Sequence, residues 1–284
     1  MAVHVLTDST ADLPERIATQ HGITVVPLNL HFNDEVLKDG EDIWAEEFYH
    51  RMVNESITPD SSAPTVEDFV AAYRRIAQPG DTILSVHLSE KLSATLKSAR
   101  KAAELVAPDI SVRVVDSRLV SMGLGWAVLE AARSLNEGVD LETVLQRLDQ
   151  ASERAVIYFS VDNLEHLHRT GRIGTATAAE GVVNVKPIFS IANGELVTVE
   201  LFRGSQRSLS HHLAELVQQR IGDRRYYLAL VHAEQQEEIE RIREAFGKDP
   251  RIEELILGYV GPIVGAHVGP GTVGVIALPL PECG

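Results

Sequence analysis

Short runs of β-branched residues alternate with longer stretches whose apolar positions recur every three or four residues. Residues 3–6, 23–26, 82–86, 112–115, 154–159, 226–231 and 252–257 are apolar runs of strand length. Residues 66–77, 92–106, 125–136 and 141–151 carry the spacing of amphipathic helices. This βαβα alternation predicts an α/β fold whose first part is a mainly parallel, Rossmann-like sheet covered by helices. After the first strand, Asp12, Pro14 and Glu15 stand where a cap, a first-turn proline and a returning carboxylate open a helix.

The second half changes pattern. Residues 186–191 and 195–201 flank Asn193-Gly194, a pair suited to positive φ at both positions, and predict a hairpin. Helices are expected over 205–220 and 235–246, so antiparallel pairing mixed with helices predicts a C-terminal α+β domain. The change falls near residues 150–158. This gives an N-terminal α/β domain over 1–155 and an α+β domain over 156–284, with no Pro/Gly/Ser-rich linker, internal repeat or low-complexity segment between them.

Length and charge narrow the function. A chain of 284 residues can bury a sizeable core. Its 26 Lys and Arg against 41 Asp and Glu give a net charge of −15, which repels polyphosphate and anionic headgroups. Nucleic-acid binding and membrane attachment are therefore not expected. The single cysteine, Cys283, forms no internal disulfide and offers no thiolate zinc site, as expected for a reducing cytoplasm. The first residues lack a signal-peptide pattern, and no run of eighteen apolar residues predicts a membrane span.

Candidate chemistry gathers at hydroxyl-rich turns. Asp8-Ser9-Thr10, Ser89 after His87-Leu88, and Asp116-Ser117 follow predicted strands, where an open α/β sheet forms its ligand crevice. Such residues either cap helices or hold an anion. Ser61-Ser62-Ala63-Pro64 and Leu92-Ser93-Ala94-Thr95 carry the same ambiguity. The stretch from 261 to 274 has five glycines and two prolines in fourteen residues, fitting tight turns and close backbone approach. It is neither a Walker loop nor a dinucleotide fingerprint. His267 inside it is either structural or a ligand contact. His166, His168, Arg169, Arg172 and Arg203 are candidate anion attractors or a solvated face. The eleven histidines show no metal-binding spacing, so no metal site is expected.

Taken in order, these segments resemble the DegV family. The resemblance rests on Asp8-Ser9-Thr10 with Asp12-Leu13, Ser61-Ser62-Ala63-Pro64, Leu92-Ser93-Ala94-Thr95, and Asp116-Ser117 with Ser121, Gly123 and Gly125. It continues through Leu164-Glu165-His166-Leu167 to Gly171-Arg172-Ile173, then Lys186-Pro187-Ile188, and ends in His267-Val268-Gly269-Pro270-Gly271-Thr272-Val273-Gly274. It implies a DegV-like two-domain fold with a long-chain fatty acid in an apolar tunnel at the domain interface. The protein would be a lipid-binding subunit without catalysis or cofactor of its own. It would present the acid's carboxylate to a fatty acid kinase, a dihydroxyacetone-kinase-like ATP-binding protein, for acyl-phosphate formation. Ser61, Ser62, Ser93 and His267 would hold the carboxylate, with Arg172 and Arg203 facing headgroup and kinase. Serine at 61 replaces the family's usual threonine, and alanines at 63 and 94 replace glutamine and glycine. The competing expectation is a serine-dependent hydrolase or phosphotransferase with Ser93 or Ser61 as nucleophile and His267 as base. No Gly-x-Ser-x-Gly elbow accompanies either serine.

Overall fold

The structure, a computed structural model, describes residues 2–55, 57–171 and 185–281. The chain opens with β1 (Val3–Asp8), a 3-10 turn (Ser9–Ala11), α1 (Glu15–Gln20), β2 (Ile23–Val26), β3 (Asn29–Phe32), β4 (Glu35–Lys38), α2 (Ala45–Asn54) and β5 (Asp60–Ser62). It continues through α3 (Val66–Ile76), β6 (Thr82–His87), α4 (Thr95–Val106), β7 (Ser111–Asp116), α5 (Met122–Asn136) and α6 (Leu141–Arg154). The second half contains β8 (Val156–Ser160), α7 (Glu165–Arg169), β9 (Val185–Ala192), β10 (Glu195–Arg203), α8 (Gln206–Ile221) and β11 (Tyr226–His232). It closes with α9 (Gln236–Phe246), β12 (Ile252–Tyr259), α10 (Pro262–Val268) and β13 (Val273–Pro279).

The N-terminal part holds a four-stranded, all-parallel sheet in the order β2-β1-β6-β7, as the alternation predicts. The C-terminal part holds a six-stranded mixed sheet in the order β10-β9-β8-β13-β11-β12, in which β11 and β12 are parallel and the other pairs antiparallel. The β9–β10 hairpin turns at Asn193 and Gly194 with φ of 50° and 79°. A small antiparallel sheet, β4-β3-β5, is an addition that the apolar runs did not predict.

Helix α5 joins the two halves. It is apolar around nearly its whole circumference, and of its 15 residues only Arg133, Leu135 and Asn136 are not buried. Such a helix is stable only inside a core. It touches β1 on one side and β11 and β13 on the other, and Trp126 stacks on Tyr227 with ring centroids 5.0 Å apart. Its Glu130 is neutralised by Arg154 at 2.7 Å, so no charge is stranded there.

The end of β1 differs from expectation. Asp12 does not cap α1, whose preceding residue is Pro14 and which lacks a side-chain cap. Asp12 instead adopts a left-handed conformation (φ 51°, ψ 26°) at the end of the 3-10 turn, and its carboxylate accepts the Ser121 hydroxyl at 2.5 Å. Asp8 caps the turn, accepting the N–H and hydroxyl of Thr10 at 3.1 and 2.5 Å. Its other oxygen accepts Nδ1 of His87 at 2.9 Å and the Leu88 N–H at 3.1 Å. A buried chain runs on from His87 Nε2 to Ser85 (2.7 Å) and from Ser85 to Tyr73 (2.9 Å). This network pairs Asp8, Thr10, Ser85, His87 and Tyr73 where the strand ends bury them.

Candidate functional site

A cavity of about 290 Å³ lies between the mixed sheet and the turns and loops of the N-terminal half. Its wall draws on the Thr10 turn, β5, the loop before α4, the start of α5, strands β8, β11 and β13, the β9–β10 hairpin and α10. The side chains along it are mostly aliphatic, for example Leu28, Val120, Ile157, Val231, Ile263 and Ile276. Phe159 is the one phenyl ring, and no Lys or Arg takes part, among the described residues of the wall. Polar groups are confined to a few hydroxyls and one imidazole: Thr10, Ser61, Ser62, Ser93, Ser121, Thr272 and His267.

Local structure aims these groups. Ser61 and Ser62 lie on the edge strand β5, where successive side chains point to opposite faces. Ser61 Oγ is 2.9 Å from His267 Nε2, and Ser62 Oγ is 2.8 Å from His31 Nε2 on the exposed side. Ser93 explains why α4 begins three residues later than its apolar spacing predicts. Its Oγ accepts the Thr95 N–H at 3.2 Å and lies 2.9 Å from the Thr95 hydroxyl, a local hydrogen bond that halts the helix there. Ser121 has φ 53° and ψ −150°, an unusual backbone held by its bond to Asp12.

His267 sits in the last turn of α10, a helix the glycine-rich stretch concealed. The helix lies close against α2: a Cβ at Gly265 would meet the Tyr49 hydroxyl at 2.5 Å and the Phe48 ring at 2.8 Å. Tyr49 in turn donates to the Val260 carbonyl at 2.9 Å. These contacts fix the height at which α10 offers His267 to Ser61.

Of the residues singled out in the sequence, Ser61, Ser62, Ser93 and His267 all reach this cavity wall. Arg203 does not line it. It is the exposed last residue of β10, at the opposite end of the strand from the Asn193-Gly194 turn. Arg172 lies outside the described residues, as does Cys283. Arg169 donates to the Pro59 carbonyl at 2.9 Å, next to β5. His166 packs against Gly269, and burial first, then the Arg169 charge, pulls its pKa below the usual histidine value. Thr10, Ser121 and Thr272 were not assigned to a site from sequence, although all three lie in segments that carry the resemblance. No group of three His, Cys, Asp or Glu side chains suited to a metal ion occurs among the described residues. No helix among them is long and apolar enough to cross a membrane.

A parallel sheet, a mixed sheet and a mostly aliphatic cavity with a few hydroxyls in its wall define an α/β protein built around an interior pocket. The sequence profile described as "Uncharacterised protein, DegV family" matches residues 2–280, and the chain belongs to that family. It is 34% identical to a DegV domain-containing protein of Streptomyces coelicolor over 96% of this chain and 97% of the relative. Two solved structures superpose over 99% of this chain and all of theirs. A fatty-acid-binding DegV family protein from Thermus thermophilus is 32% identical with a TM-score of 0.89. DegV, a fatty acid binding protein from Bacillus subtilis, is 30% identical with a TM-score of 0.88.

Proposed function

We propose that this protein binds a long-chain fatty acid in its aliphatic cavity and presents the carboxylate to a fatty acid kinase, which converts it to an acyl phosphate. The observation that carries the reading is a mostly aliphatic wall whose few polar groups include Ser93 and the Ser61–His267 pair, 2.9 Å apart. An acid with about 14 methylenes, at ~0.8 kcal/mol each, offers on the order of 11 kcal/mol of burial before ordering costs. That gain requires an enclosed apolar space. The fatty-acid-binding relatives at 30% and 32% identity support the same ligand class.

With Nε2 protonated, the His267 imidazole donates to Ser61 Oγ, which leaves the Ser61 proton for a carboxylate oxygen. Ser93 supplies a second hydroxyl. Neutral donors hold the anion without covering it, so an oxygen remains nucleophilic toward an incoming phosphoryl group. A guanidinium clamp would bind more tightly and screen that oxygen, and no arginine among the described wall residues does so. Ser62, tied to His31 on the exposed side, steadies the strand beside the carboxylate. Arg203 is assigned to meeting the kinase, as is Arg172, which lies outside the described residues. We divide the chain at 155/156, where α6 gives way to β8, and place the protein in the cytoplasm with its kinase.

The Ser61–His267 hydrogen bond also favours a second reading, a hydrolase with Ser61 as nucleophile and His267 as base. Against it, Ser61 stands on an edge strand rather than at a strand-to-helix elbow. Incubation with a labelled fatty acid, ATP and a fatty acid kinase, trapping product as the hydroxamate, separates the two. Acyl phosphate formed only with all components supports presentation. Ester hydrolysis by the protein alone, lost in Ser61→Ala, supports the hydrolase.

A further inference from the structure

A second cleft, of about 450 Å³, is lined in part by Asp8, Ser9, Ala11 and Asp12 around the 3-10 turn. Five carboxylates line it (Asp8, Asp12, Glu15, Asp39 and Glu41), and no lysine, arginine or histidine does so among the described residues. Asp8 is accounted for by His87 and Thr10. Asp39 is not: the residue is 6% exposed and its Oδ2 is buried without a hydrogen-bond partner. Asp12 lies beside it, held by the Ser121 hydroxyl and the Gly261 N–H. Burial, above all, raises the Asp39 pKa to about 8, with the neighbouring Asp12 and Asp8 adding to it and the Ser9 hydroxyl opposing. Burial also raises Asp12 to about 7, against the Ser121 hydroxyl and Gly261 N–H. Burial thus raises the proton affinity of both carboxyls, because an unpaired buried carboxylate is costly.

A cation entering the cleft would reverse that balance, and the surroundings specify its kind. Two aromatic rings, Trp44 (55% exposed) and Tyr259, stand in the same wall as the acids, and Leu13, Ile23 and Ile256 supply apolar surface between them. Aromatic faces and aliphatic surface beside carboxylates suit an alkylammonium, which gains cation–π and apolar contacts together. A bare metal ion needs several converging ligands, and no such set of three occurs among the described residues. The geometry points to this cleft as a binding site for a protonated aliphatic amine, with Asp39 and Asp12 as its counter-ions and Trp44 as its aromatic wall.

Trp44 reports on the site directly, since the other tryptophan, Trp126, is fully buried against Tyr227. Putrescine titrated into the full-length protein near neutral pH should give a saturable change in Trp44 emission. Calorimetry in buffers of different ionisation enthalpy should show protons released by the two aspartates. The other titratable groups facing them are Asp8, Glu15, Glu41, Tyr49 and Tyr259, and none is cationic. Asp39→Asn should weaken binding about tenfold or more, since it removes a charge partner while keeping its shape. By calorimetry, Trp44→Leu at the exposed rim should weaken it several-fold with an unchanged melting temperature. Absence of saturation at millimolar putrescine, equal binding by Asp39→Asn, or the same emission change with magnesium chloride at matched ionic strength would each overturn the assignment.

Discussion

Replacing Ser61 by alanine separates the two ends of the proposed ligand. Ser61 Oγ lies 2.9 Å from His267 Nε2 on the wall of an otherwise aliphatic cavity, so the substitution removes one donor and leaves the acyl surface untouched. A hydrogen bond to a charged group contributes about 1.5–3 kcal/mol, or roughly 10- to 150-fold in affinity. Each methylene contributes about 0.8 kcal/mol, or roughly fourfold. Affinities of a straight-chain acid series, measured by competition against a fluorescent fatty acid, therefore fall on two lines of equal slope in log affinity against chain length. The Ser61→Ala line is displaced downward by one constant offset, and both lines flatten at the same length, where the cavity is full. Ser61→Thr keeps the hydroxyl and restores most of the offset. Lines that diverge with chain length would mean that Ser61 shapes the acyl space. An offset below about twofold would mean that its hydroxyl does not hold the carboxylate.

Asp39→Asn tests the buried acid through stability. Because the folded pKa is raised, the wild type has its full contribution below about pH 4 and loses it as pH climbs toward 8. Chemical denaturation should show the variant equal to wild type near pH 4 and more stable at pH 8, with a ceiling on the order of 5 kcal/mol; parallel pH profiles would refute the burial argument. Gly265→Ala forces a methyl group to within 2.5 Å of the Tyr49 hydroxyl oxygen, an overpacking cost of about 1–3 kcal/mol that should appear as a lower melting temperature. An unchanged melting temperature would show that α10 can shift freely. Arg203→Ala, at an exposed strand end outside the cavity, should reduce kinase-dependent phosphorylation while fatty-acid affinity stays within about twofold. Equal loss of both would assign Arg203 to the ligand itself.

Much of this architecture was legible from apolar spacing because each large element buries one face or, for α5, nearly all of itself. The Asn193-Gly194 hairpin was legible because its turn requires positive φ. The small β3–β5 sheet was not: Asn29, His31 and the exposed start of β4 interrupt its short apolar pattern. Asp12 shows a different limit. Local signals make it a helix cap, yet its partner is Ser121, 109 residues away. The site divides in the same manner. Its hydroxyl segments and His267 stood out individually, but Ser61 and His267 are 206 residues apart, and only the packing of α10 on α2 and β5 brings them together. The acidic cleft was legible only in part: Asp8 and Asp12 stood out in the first turn, but nothing local marked Asp39 as their neighbour.

The central claim is that the interior cavity holds a fatty acid. Protein purified without detergent or added lipid, unfolded in organic solvent and extracted for mass spectrometry, tests it most directly. The account predicts a long-chain fatty acid approaching one equivalent per chain, replaceable by a labelled acid. Protein that yields no fatty acid and takes up none on addition would contradict it.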